Sequence, residues 1–95
     1  MENRNATPFD GVLSGSPVTL TPHFGRAQEW VIENLDAAES YTVTFPGTTT
    51  SETIPPGNIV TIRLLSDSMT INGVGEYSVI CAEQIGAIQI IRAGG

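Results

Sequence analysis

The 95 residues carry ten acids against four arginines and no lysine, a formal net charge of −6. That balance repels phosphate backbones and argues against a nucleic-acid partner. No apolar run reaches about 18 residues, so no helical membrane span is encoded, and a hydrophobic content of 40% is too high for a chain disordered by composition.

Residues 1–16 show no hydrophobic period and contain the small-residue run "GVLSGSP". They are expected to form an N-terminal arm, followed by a β-sandwich domain over 17–95. From there the apolar period is two rather than 3.6, the signature of strands. "PVTLTP" is the first expected strand. In "QEWVIENL", Trp30 and Ile32 share one face, and Glu29, Val31 and Glu33 the other. The stretch from Ala27 to Ala38 is the one place where a helix could compete, but the Val31-Ile32 pair and the alternation favour a strand. Ala37-Ala38 could form a short turn. "SYTVTF", "NIVTIRLL", "MTI", "YSVICA" and "AIQIIRA" follow. Pro46-Gly47, Pro55-Pro56-Gly57, Asn72-Gly73 and Gly86 punctuate them, and Asn-Gly suits a tight primed turn. About seven short strands with regular turn signals predict an all-β fold, a single small β-sandwich or Greek-key barrel. The expected core is Trp30, Ile32, Tyr41, Val43, Phe45, Val60, Ile62, Leu64, Val79 and Cys81.

Three segments resemble the cupredoxins, in this order: "EWVIENLDAAESYTVTFPG", "TIPPGNIVTIRL" and "GEYSVICAEQIGAIQI". The resemblance covers roughly residues 17–92 and implies a cupredoxin-like sandwich. It also implies where copper would sit: two histidines, a cysteine thiolate and a weak axial methionine. At those positions this chain has Tyr41, Cys81, the run Ala82-Glu83-Gln84-Ile85, and Gln84 ahead of Gly86. Of that ligand set only Cys81 is kept, and the loop after it is short. The expectation is a metal-free, cofactor-free protein. Cys81 lies in phase with Tyr77 and Val79, so it reads as a buried apolar residue.

Other chemistry is sparse. His23, in "TPHFGR", is the one histidine and has no candidate partner nearby in sequence. There is no G-x-S-x-G elbow, no phosphate loop and no D-x-D-x-D spacing for calcium. A protein without enzymatic activity is expected. "MENRNATPFD" lacks the apolar core of a secretory signal, and a lone cysteine forms no internal disulfide. A cytoplasmic protein is therefore expected, or one carried on a virion.

Two functions fit these residues. One is a structural or assembly protein, most concretely a phage decoration or coat-associated protein. The alternative is a metal-free binding module that recognises a protein, peptide or sugar through loops such as "PGTTTSETIPPG". The last expected strand favours assembly. It is apolar on both faces, with Ile88 and Ile90 on one and Ala87 and Ile91 on the other, whereas a sandwich strand usually turns one face to water. The expected contact comprises Ile88, Ile90, Ile91 and Ala93, covered by Phe9, Val12 and Leu13 of the arm or by a neighbouring subunit. A homo-oligomer, for instance a trimer, or docking on a larger shell follows.

Overall fold

A computed structural model describes residues 4–23 and 25–84. Among them are eight strands: β1 (Arg4–Ser14), β2 (Val18–Leu20), β3 (Arg26–Asn34), β4 (Tyr41–Thr44), β5 (Ser51–Ile54), β6 (Ile59–Ile62), β7 (Met69–Asn72) and β8 (Val74–Gln84). They form two four-stranded sheets, β1-β8-β3-β6 (sheet A) and β2-β7-β4-β5 (sheet B). Every pairing is antiparallel. The pairs β4–β5, β3–β6, β2–β7 and β1–β8 nest inside one another. The chain is therefore one long hairpin, turned between β4 and β5, and rolled until β8 meets β3 and β7 meets β4. This is the jelly-roll form of the sandwich, and the expected all-β class holds.

The two sheets enclose one core. Trp30, Ile32, Val79 and Cys81 of sheet A and Tyr41, Val43, Ile54, Met69 and Ile71 of sheet B are all fully buried, with Phe45 just beyond β4. Trp30 meets Phe45 edge-on, with ring centroids 6.2 Å apart. Its indole N–H donates to Ser66 Oγ at 2.8 Å, so the ring is buried without an orphaned donor. Val60, Ile62 and Leu64 are only half-buried at the margin.

Three expectations change. The aperiodic arm is a strand over Arg4–Ser14, paired with β8 along its whole length from Arg4↔Gln84 to Ser14↔Val74. Its alternation is masked because the inward positions include Thr7 and Gly11 while Val12 points out. Gly11 is small because the Tyr77 ring fills its place: a Cβ there would lie 2.9 Å from the phenol oxygen. Pro8 is tolerated because β1 is an edge strand. Second, Ser51–Ile54 is a strand, three of whose four residues are exposed, so no apolar pattern marked it. Third, Asn72-Gly73 is no hairpin turn. No non-glycine residue has a positive φ among the described residues. Asn72 ends β7 in sheet B and Val74 begins β8 in sheet A, so the dipeptide is a corner between sheets.

Candidate assembly surfaces

A sandwich leaves edges, and edges present unpaired backbone donors and acceptors. Among the described residues the four edge strands are β1, β6, β2 and β5. They differ in how they are guarded. β1 carries Pro8 and Asp10, and β5 carries Glu52. β6, Ile-Val-Thr-Ile, and β2, Val-Thr-Leu, contain neither a charge nor a proline. Ile59 at the start of β6 is 59% exposed. The connections β1–β2 and β5–β6 are short, which sets β2 beside β1 and β5 beside β6 across the sandwich. These two edges, free of charge and proline within the strand although β2 is only three residues long between Pro17 and Pro22, therefore lie on opposite flanks.

The outer face of sheet A is the second surface. Pro8 pairs with Ile80 and Ile80 with Val31, which makes one apolar row across three strands. Farther along, Val12 pairs with Glu76, whose carbonyl accepts from Leu35 N–H at 3.1 Å and from the Tyr41 hydroxyl at 2.6 Å. Asp10, Gly11, Val12, Leu35, Glu76 and Tyr77 line a groove there of about 260 Å³. Its walls, Val12 and Leu35, are exposed.

Of the expected contact residues, Val12 faces solvent on this outer side. Leu13 is fully buried and belongs to the chain's own core. Phe9 is half-buried and stacks on Trp30 at 6.4 Å. β1 joins β8 edge to edge, and whether Leu13 also meets the last expected strand lies outside the described residues. Ile88, Ile90, Ile91 and Ala93 lie outside the described residues. His23 is exposed and packs edge-on against Phe9, with centroids 5.9 Å apart. Cys81 is fully buried. Burial, then the negative charge of Glu83, pushes its thiol up to about 11, so little thiolate forms near neutrality. Tyr41, another of the positions the resemblance places at copper, packs in the core. No cluster of metal-ligating side chains occurs among the described residues.

Sequence reasoning missed two buried polar side chains. Glu83 is fully buried and accepts a hydrogen bond from the Thr7 hydroxyl. Asn34 is fully buried and binds three backbone groups. Only the pairing of β1 with β8 brings Thr7 to Glu83, so no local signal could have revealed that contact. The exposed ion pairs Arg26–Asp67 (2.8 Å) and Arg63–Glu29 (3.2 Å) contribute little to stability.

No protein-family model matches the sequence, and no curated protein does. Among solved structures, a chain from Bacillus endospore appendages, described as forming a novel family of disulfide-linked pili, superposes with a TM-score of 0.52. The two share 12% identity over 86% of this chain and 87% of that one. At that identity the likeness shows the fold: a small two-sheet antiparallel sandwich matched over nearly the whole of both chains.

Proposed function

We propose that this chain is a non-enzymatic structural subunit that assembles with copies of itself by sheet-edge pairing. The carrying observation is the pair of edge strands without charge or proline among the described residues, β6 and the three-residue β2, on opposite flanks and different sheets. Joining β6 of one copy to β2 of the next is a head-to-tail contact. Such contacts propagate into an open fibre unless the rotation happens to close a ring. Backbone hydrogen bonds would supply the adhesion, as in strand addition generally.

The likeness to a pilus-forming protein supports a fibre over decoration of a virion shell, the finer form read from the sequence. One difference follows from the residues. The neighbour's pili are disulfide-linked, whereas the one cysteine of this sequence is buried in the core. Assembly here would be non-covalent. The metal-free, cupredoxin-like binding module is the reading left if the chain does not self-associate, with the turns at 46–50 and 55–57 that flank β5 as its surface.

The test is light-scattering mass and electron microscopy of the parent beside Ile59→Lys and Thr19→Lys, which place a charge on each open edge. The parent should form elongated particles, and both variants should stay small with an unchanged circular-dichroism spectrum. A parent that remains monomeric at about 50 µM, well above the concentrations at which stable interfaces form, overturns the proposal in favour of the binding module.

A further inference from the structure

The groove on sheet A combines apolar walls, Val12 and Leu35, with two carboxylates, Asp10 and Glu76. Among the described residues the ion pairs are Arg26–Asp67 and Arg63–Glu29, so neither groove carboxylate is neutralised by a cation. A fitting occupant is apolar, carries a cation and has no acid. The sequence contains such a stretch outside the described residues: Ile88-Gln89-Ile90-Ile91-Arg92. Two of the chain's other arginines, Arg26 and Arg63, are already paired with acids of their own copy.

We infer that the Ile88–Arg92 segment of one copy docks in the sheet A groove of a neighbouring copy, with its isoleucines on Val12 and Leu35 and the Arg92 guanidinium between Asp10 and Glu76. Charge complementarity carries the match: a guanidinium is well suited to carboxylates and tolerates an apolar setting. For the isoleucines, reach favours the neighbour's walls over those of the chain's own groove. Glu76 lies eight residues back from Gln84 along β8, and Arg92 eight residues beyond it. Along β8 that span is about 26 Å at about 3.3 Å per residue, and a fully extended chain of eight residues reaches at most about 29 Å. Reversing direction uses at least about two residues, which leaves Ile90 and Ile91 short of the walls on their own copy. The inference rests on the assembly reading and adds a second contact to the edge pairing. It would also cover the exposed side chains of Val12 and Leu35.

Charge reversal tests it. Arg92→Glu, and separately the pair Asp10→Arg with Glu76→Arg, should each raise the concentration needed for assembly by about tenfold or more, since like charges then meet in the groove. Combining all three changes should restore assembly to near the parent's. Loss without restoration, or Arg92→Glu assembling like the parent, overturns the inference while leaving edge pairing intact. A monomeric parent removes the assembly reading itself, and this contact with it. A second measurement fixes the partner: Val12→Cys with Ile91→Cys under oxidation. A ladder of linked copies on a non-reducing gel supports docking between copies, and a crosslink confined to single chains overturns it.

Discussion

Asn34 closes β3 with its amide fully buried. Its Nδ2 donates to the carbonyls of Glu39 at 2.7 Å and Ile54 at 3.0 Å, and its Oδ1 accepts from Asp36 N–H at 2.9 Å. The amide thereby ties the 35–40 connection to the end of β5. Asp36 then holds the turn itself, its Oδ2 accepting from Ala38 N–H at 2.8 Å and Glu39 N–H at 2.7 Å. Those bonds, Ala38 first, favour the carboxylate and hold its pKa below the ordinary 3.8. A group depressed in the folded state adds stability above its unfolded pKa and loses it as pH falls through the folded value. The parent should therefore be more stable than Asp36→Asn at about pH 6, with the difference shrinking toward about pH 3. Thermal melts of both proteins across that range check it, and a constant difference would show that the charge has no part in the turn. In the sequence, "ENLDAAES" discloses a strand end and a turn. It does not disclose Asn34 as a fastener, because one of that residue's partners, Ile54, lies twenty positions away.

At the scale of elements, a strand could be read wherever burial imposed a strict alternation. Trp30 with Ile32, and Val79 with Cys81, are legible because each pair lies on a face sealed from water. β1 and β5 escaped because they show no such alternation: β1 turns Thr7 and Gly11 inward and Val12 outward, and β5 buries only Ile54. The corner after β7 escaped for another reason: its conformation is dictated by tertiary packing. The Tyr41 ring lies so close that a Cβ on Gly75, at φ +132°, would sit 2.5 Å from the phenol oxygen and 2.7 Å from Asp36 Oδ1. Gly47, at φ +86° in the Phe45–Thr48 turn, has nothing within 4 Å of such an atom. Gly47→Ala should therefore show backbone strain alone, about 1–2 kcal/mol. Gly75→Ala adds overpacking against Tyr41 and should cost about 2–5 kcal/mol in all. Urea midpoints with matched slopes measure both. Equal losses would mean that Tyr41 moves aside freely and does not lock the corner.

Over the whole molecule, the nested pairing makes closure of the roll depend on β1 and β8, whose partners come from opposite ends of the chain. Among the described residues the same roll leaves β6 and β2 as edge strands on opposite flanks, the surfaces proposed above for assembly. Charge works against that assembly. Each copy carries a formal −6, and copies brought flank to flank repel one another over roughly a Debye length, about 8 Å at physiological ionic strength and about 3 Å at 1 M. Backbone pairing of uncharged edges is little affected by salt, whereas the repulsion is screened. The concentration needed for assembly should therefore fall several-fold between about 0.02 M and about 0.5 M salt. The Arg92 contact is weakened by the same screening, but it is one local attraction set against the repulsion of whole subunits. The melting temperature of the edge-blocked Ile59→Lys monomer should change little across the same range, because its core is apolar and its ion pairs are exposed. Light scattering at fixed protein concentration across a salt series reads the first effect, and thermal melts of the monomer read the second. Assembly that weakens steadily with salt would mean that ionic contacts, rather than paired edges, hold the copies together.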